Sequence, residues 1–321
     1  MNISSKSISF IKRKLHESYS IKFALRKMGI EIPLYPSGHY YSANADVNTV
    51  LKTPRLFESQ QSYKGIDLNV ENQLQLLNEL KDYHQDLQLE DTRKEANLYY
   101  FDNPFFSYSD GTILHCIVRH FRPQQIIEIG SGYSTTCMID TVLHNQLSTT
   151  ITAVDPEMTR LNSLLSETKP QVSIKQIAQK VQEVDQQIFT TLKEHDILFI
   201  DSSHVSKVGS ELNYFLFEIL PILNSGVIIH FHDIFNNFQY PKEWIQEGIH
   251  FNEQYLIRAF LQYNSQYEIL LFTAHMEDNY QEWYKVHMPI CLKPHERYAF
   301  GKNKGKYIPD IKGQSLYIRK K

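Results

Sequence analysis

Cysteine is scarce in these 321 residues: Cys116, Cys137 and Cys291 stand far apart, with no C-x-x-C spacing. That excludes a zinc ribbon and a disulfide framework, and it suits a reducing compartment. Long apolar runs are missing as well. No stretch of about 18 apolar residues occurs, and the first residues hold no apolar run of signal-peptide length. The expectation is a cytoplasmic protein without a transmembrane segment. An excess of positive charge is also lacking: 33 Lys and Arg face 36 Asp and Glu, for a net charge of −3. This gives no electrostatic case for nucleic acid as a partner. Neither an internal repeat nor a low-complexity segment is visible.

What is present is an ordinary globular balance, 42% apolar and 21% charged, enough to build a buried core. Basic residues concentrate in the first 27 positions, where seven Lys or Arg stand against the single acid Glu17. Ile8, Ile11, Leu15 and Tyr19 recur there at near-helical spacing. A solvated helix packed on the domain is the favoured reading, and peripheral contact with an anionic membrane is the alternative. Leu34 to Val47 reads as an irregular loop, and Val70 to about Leu87 as an amphipathic helix carrying Leu74, Leu77 and Leu80. Residues 1–104 are therefore expected to form a mostly helical extension able to cap the rest of the chain.

After Pro104 the pattern changes. Asp110 is placed to cap a helix with Ile113, Leu114, Ile117, Val118 and Phe121 on its apolar face, and Pro123 stops it. Strands are then expected at Ile126–Ile129, Thr150–Val154, Val172–Ile177, Ile197–Ile200, Val227–Phe231 and Tyr267–Phe272. Helices fit between them at Thr135–Leu143, Met158–Leu165, Val184–Leu192, Val208–Leu220 and Glu253–Tyr263. The fourth of these carries Val208, Leu212, Phe215, Leu216 and Ile219 on one face. Short, almost purely apolar strands alternating with helices indicate an α/β domain over 105–321, with a parallel sheet covered on both faces. Ser315–Ile318 would add one more strand after a detour from Ala274 to Gly313. That detour leaves the active rim, so residues 275–313 are read as a lid.

In such a sheet, ligands bind where the carboxyl ends of the strands meet a reversal of strand order. The first strand ends in Glu128-Ile129-Gly130-Ser131-Gly132-Tyr133-Ser134 and the second in Ala153-Val154-Asp155. The glycines let the backbone turn and approach a ligand, and the next helix offers free amides. A carboxylate at Asp155 can accept both hydroxyls of a ribose. A nicotinamide dinucleotide predicts these same features. However, Thr135 stands where G-x-G-x-x-G/A needs its third glycine, and Glu128 supplies an acid that a dinucleotide does not require. A cofactor bearing an amino acid and a sulfonium offers that acid a positive partner.

The stretches Phe105-Phe106-Ser107-Tyr108-Ser109-Asp110, Ile126 to Ser134, Asp201-Ser202-Ser203-His204 and His230-Phe231-His232-Asp233 resemble class I S-adenosylmethionine (SAM) dependent methyltransferases. More narrowly, they resemble a poorly characterised bacterial "methyltransferase domain" group. The resemblance implies a Rossmann-like, seven-stranded, mostly parallel sheet with helices on both faces and a reversed last strand. It implies that Glu128, Gly130, Ser131, Gly132 and Ser134 serve the methionine half of SAM, with Asp155 on the ribose, Gln179 beside the adenine and Asp201 at the cofactor's edge. On the substrate side two chemistries fit. Asp201 and Asp233 hold Mg²⁺, as in catechol-type enzymes, or His204 or His232 is a general base. Tyr40, Tyr41 and Tyr108 could shape the acceptor pocket, and Trp244, Asn252, Glu253 and Gln254 would face the rim. For His230, inside its strand, a structural role is favoured. The reading is methyl transfer to a small polar acceptor at a hydroxyl oxygen, a sugar or natural product among the options. Its rivals are an NAD(P)-dependent oxidoreductase and a non-catalytic protein that keeps the fold. Oligomeric state is not legible.

Overall fold

The computed structural model describes residues 18–30, 33–94, 97–166, 174–298, 306–309 and 313–321. They fall into two compact units: the described residues up to Leu56 together with Lys242–His250, and Phe57–Pro241 together with Phe251–Lys321. In the smaller unit, a helix over Tyr19–Lys27 is capped by Ser18, whose Oγ accepts from Ile21 N. The Lys22 ammonium donates to the carbonyls of Pro33 at 3.2 Å and Leu34 at 2.6 Å, fixing the chain that leaves that helix. The basic segment before Ser18 lies outside the described residues. Among those described, no helix is long and apolar enough to cross a membrane.

The larger unit holds the sheet. Its strands are β1 Gln125–Ile129, β2 Thr150–Val154, β3 Ile174–Ile177, β4 Ile197–Ile200, β5 Ile228–Phe231 and β6 Tyr267–Phe272. A separate hairpin is formed by β7 Glu296–Tyr298 and β8 Tyr307–Pro309, and β9 Leu316–Lys320 returns to the main sheet. The seven-stranded order is β3-β2-β1-β4-β5-β9-β6. β9 runs antiparallel to both β5 and β6, so the last strand is reversed as the resemblance implied.

Side-chain alternation divides the core into two layers. Leu198 and Ile200 of β4 join Ile127, Ile129, Ile229 and Phe231 on one face. Ile197 and Phe199 join Ile126, Ile228 and Tyr317 on the other. Every one of these is buried, as expected of strands covered on both faces. Helices Tyr108–Phe121, Tyr133–His144 and Val70–His84 cover the second face, and Glu253–Leu261 covers the first. After β6, helices Thr273–Asn279 and Gln281–His287 come directly, and they bury Met276 and Tyr284 in the second layer.

Three local expectations are corrected. The helix expected over Val208–Leu220 starts at Glu211, because Gly209 (φ +76°) turns the chain and Ser210 caps it. Val208 is thereby left fully exposed. A π-helical turn at Phe215–Ile219 then shifts the register before Pro221 ends the element. The helix expected over Val184–Leu192 shrinks to Gln187–Thr190, since the Asp185 carboxylate takes the Gln187 amide and starts the turn late. Asp110 does not cap its helix: the helix begins at Tyr108, and the Asp110 carboxylate faces inward to the Gln314 amide and the Ser315 hydroxyl.

At the opposite end of the sheet from the rim, Asp196 is 1% exposed and accepts from three backbone amides, Gln124, Gln125 and Lys193. Removing one buried acceptor leaves each donor with its desolvation cost, about 1–3 kcal/mol per group before relaxation. Asp196→Ala should lower unfolding stability by about 2–4 kcal/mol in a urea titration. A change below about 0.5 kcal/mol would remove this carboxylate from the account of how β1 and β4 are joined.

Candidate active site

Parallel pairing brings the strand ends level. Ile129 pairs with Val154 and Ile200, Val154 with Ile177, and Ile200 with Phe231. The ladder runs one residue further: Gly130 N donates to Val154 O, Asp201 N to Ile129 O, and His232 N to Ile200 O. Gly130, Asp155, Asp201 and His232 therefore emerge side by side. Strand order reverses between β1 and β4, and there a cleft of about 480 Å³ opens. Gly130, Asp155, Asp201, Ser203, Lys180–Gln182 and Gly209–Glu211 are among its walls.

The residues singled out from sequence divide by position. Gly130, Asp155 and Asp201 line the cleft. Gly130 has φ +85°, and a Cβ there would lie 2.0 Å from the Asp201 carbonyl oxygen, so the position admits no side chain. Ser131 backs the carboxylate, donating to Asp155 Oδ2 at 3.0 Å, while Asp155 Oδ1 accepts from Glu157 N. Glu128 and Ser134 are turned inward. Ser134 Oγ donates to Glu128 Oε1 at 2.6 Å, and the Thr135 hydroxyl donates to the other oxygen. The residue in place of the third glycine thus pins the loop, since Thr135 Oγ1 also accepts from Gly132 N. Gln179 is exposed and lies outside the cleft wall, which Lys180, Val181 and Gln182 form instead. Burial pushes the Glu128 carboxyl up to about 8, against the pull of the two hydroxyls. Arg160, which carried no signal in the sequence, lies beside Gly132 with its guanidinium 4.0 Å over the Phe105 ring.

Beyond Asp201 two imidazoles sit among four carboxylates. His204 Nε2 stands 3.1 Å from Asp233 Oδ2 and 3.4 Å from Asp201 Oδ1, and its Nδ1 is 2.6 Å from Glu253 Oε2. His232 Nε2 faces Asp110 Oδ2 at 3.4 Å, and its Nδ1 faces Asp233 Oδ1 at 3.6 Å. Burial opposes charge on His232, but Asp110 and Asp233 outweigh it and push the ring up to about 10. Asp233 is raised by burial, whereas Asp201 is held low despite burial by His204 and His232. His204 and Asp233 both adopt left-handed backbone, φ +58° and +59°, which non-glycine residues hold only when their surroundings enforce it.

The enforcement comes from the start of the helix at Glu253–Leu261. Asn252 N and Glu253 N both donate to His204 O at 3.1 Å, and Asn252 Oδ1 accepts from Ser206 N. Gln254 Oε1 accepts from Phe235 N. One helix terminus therefore holds both rim loops. The sequence marked residues 252–254 as rim-facing, but not as the clamp between loops. Asp110 gave no hint of its place beside His232, because its partners lie more than 100 residues away. His230 is structural: it stacks on Tyr317 with centroids 4.0 Å apart and bonds Ser315 Oγ at 2.8 Å. Tyr108 is also packing, buried and stacked on Phe101, while Tyr40 and Tyr41 are exposed.

Residues 127–234 match the family described as "Methyltransferase domain". A protein of Archaeoglobus fulgidus, described as uncharacterized, is 29% identical over 173 residues, which is 51% of this chain and 76% of that protein. Among solved structures, the O-methyltransferase TomG from Streptomyces achromogenes aligns at 14% identity and TM-score 0.41, over 75% of this chain and 96% of its own. The Podospora anserina methyltransferase PaMTH1 aligns at 14% and 0.39, over 85% and 94%. The CmcI apo-structure aligns at 13% and 0.31 over 40% of this chain, which spans 53% of CmcI.

Glu128 gives the site a measurable pH signature. Its folded pKa of about 8 lies above the ordinary 4.5, so between these values the folded chain keeps a proton that the unfolded chain releases. This group's contribution is complete below the lower value and is lost as pH rises through the upper one, at up to about 1.4 kcal/mol per unit. The melting temperature of wild type relative to that of Glu128→Gln, followed from about pH 5 to about pH 9, should therefore fall with rising pH. Parallel curves would show that Glu128 does not titrate in this window.

Proposed function

We propose that the methyltransferase domain at residues 127–234 transfers a methyl group from SAM to a hydroxyl oxygen of a small polar acceptor. One observation carries the reading. The cleft at the strand-order reversal has the Asp155 carboxylate on its wall, and it meets the carboxylate–imidazole cluster at Asp201. When bound, the cofactor supplies a methyl group already activated on a sulfonium, so what remains for the protein is alignment and proton removal.

Each of these tasks has residues suited to it. Each Asp155 oxygen accepts one internal hydrogen bond and keeps capacity for a ribose hydroxyl. Gly130 allows close backbone approach, and Lys180–Gln182 with Gly209–Glu211 form walls for the adenine. Arg160, over Phe105 beside Gly132, is the cation available to the cofactor carboxylate. Glu128 acts through Ser134 and Thr135, keeping the glycine loop in the shape that receives the methionine half.

Two routes remove the acceptor proton. In one, His204 Nε2 takes it when the ring is neutral, with Glu253 holding Nδ1; because Glu253, Asp201 and Asp233 hold this ring well above the usual histidine range, the route operates at raised pH. In the other, Asp201 and Asp233 hold a divalent ion that would lower the pKa of a bound hydroxyl. Either way, the charge formed lies among groups already in place.

Calorimetry with S-adenosylhomocysteine (SAH) tests the cofactor assignment. Wild type should bind it, Asp155→Ala should bind at least about tenfold more weakly as a charged hydrogen-bond acceptor is lost, and NADH should give no heat. A wild-type protein silent to SAH would overturn the assignment.

A further inference from the structure

We infer that the smaller unit carries a docking surface for an anionic lipid bilayer, made by the helix over Tyr19–Lys27 and the loop that bears Tyr40 and Tyr41. Its residues are not among those of the proposed active site, and it holds whether or not the chain transfers methyl groups.

The helix is turned the unusual way round. Ile21, Leu25 and Met28 recur at i, i+4 and i+7, the spacing of a stripe that a surface helix normally buries against a core. Here the buried side chain is Lys22, whose ammonium donates to the Pro33 and Leu34 carbonyls. The apolar residues are left outside: Ile21 is 41% and Met28 73% exposed, Leu25 is half-buried, and Phe23 beside them is exposed. A helix packed on the domain would show the reverse.

The loop repeats the pattern. Gly38, at φ +84° with its amide donating to Asn44 O, turns the chain where His39 stacks on Tyr35. Tyr40 and Tyr41 follow, both standing clear of any core, Tyr40 at 98% exposed. Seven of the fourteen large apolar side chains exposed among the described residues lie between Ile21 and Tyr41. Exposed apolar residues are ordinary when scattered, and mark an interaction surface when gathered in so short a stretch.

Charge selects the occupant. Lys22, Arg26 and Lys27 fall in a run, 18–30, that contains no acid, and Lys27 Nζ sits 4.9 Å over the Phe23 ring. A lysine laid along an apolar side chain keeps its ammonium at headgroup level while the ring enters the bilayer boundary. Seven of the 33 basic residues and one of the 36 acids lie in 1–27, so this stretch carries +6 and the remaining residues carry −9. An anionic surface attracts the first and repels the rest, which orients the chain on it. Nucleic acid offers the charge without a place for Ile21, Phe23 and Met28. Phenylalanine and tyrosine are both at home where headgroups meet acyl chains.

Co-sedimentation of the full chain with lipid vesicles tests the surface. The chain should bind mixed phosphatidylglycerol–phosphatidylcholine vesicles at least about tenfold more tightly than phosphatidylcholine alone, and NaCl should weaken that binding. The double variant Phe23→Ser, Tyr40→Ser keeps every charge and should bind about tenfold more weakly. Arg26→Gln should bind about fivefold more weakly, as one surface charge is lost. Val286→Ser, at a residue equally exposed but in the larger unit, should bind as wild type does. All these side chains are exposed, so melting temperatures should stay at the wild-type value. No binding to the anionic vesicles overturns the inference, and so does binding that the double variant leaves unchanged, which is adsorption by charge alone. A DNA duplex bound more tightly than the vesicles, or a dimer in sedimentation velocity that Phe23→Ser dissolves, gives the surface another occupant and overturns it as well.

Discussion

The level register of β1, β2, β4 and β5 is the constraint on which the rest of the larger unit depends. Parallel strands paired residue for residue, from Ile126–Ile197 to Ile200–Phe231, must end at the same height. Each then releases its next residue onto a single rim. A shift of one residue in any strand would turn its core side chains to the opposite layer, so burial on both faces fixes the register. The chemistry at the rim is thus held in place by hydrophobic packing about a strand's length away.

A rim of this kind gathers polar groups that resist burial, and the larger unit answers in two ways. Glu128 is wholly buried, and two hydroxyls from the following helix turn satisfy it. Around His204 and His232 the compensation is mutual: acids raise the imidazoles, and the imidazoles hold Asp201 low. Left-handed backbone at His204 and Asp233 is the conformational cost of pointing both side chains into one space. The terminus at Asn252-Glu253-Gln254 sustains that cost by bonding both loops.

Much of the scaffold was legible because its signals are local. Apolar runs such as Ile197–Ile200 and Ile228–Phe231 have one comfortable place, a strand covered on both sides. Elements failed where a local competitor intervened, as at Gly209 and Ser210, which cut short the helix expected from Val208. Within the site, Gly130, Asp155, Asp201 and Asp233 could be read because they come one or two residues after strands. Asp110 and Arg160 reach the site from other elements, and no spacing rule announces them, while Glu253 was marked as rim-facing but not as the partner of His204. Thr135 was noticed only as a missing glycine, although its hydroxyl links Glu128 to the loop.

By itself the sequence determined the alternation of strand and helix and the glycine turn with Glu128 just before it, whereas the reversed last strand was what the family resemblance implied. The first two features arise from side-chain period and backbone freedom, which act over a few residues. Only the tertiary structure decided that Glu128 faces inward rather than into the cleft, that Asp110 joins His232, and that Glu253 holds His204. These pairings link positions from 6 to 122 residues apart and form only when packing has closed the chain between them. Burial then sets their charge and partners, and burial is a property of the folded chain.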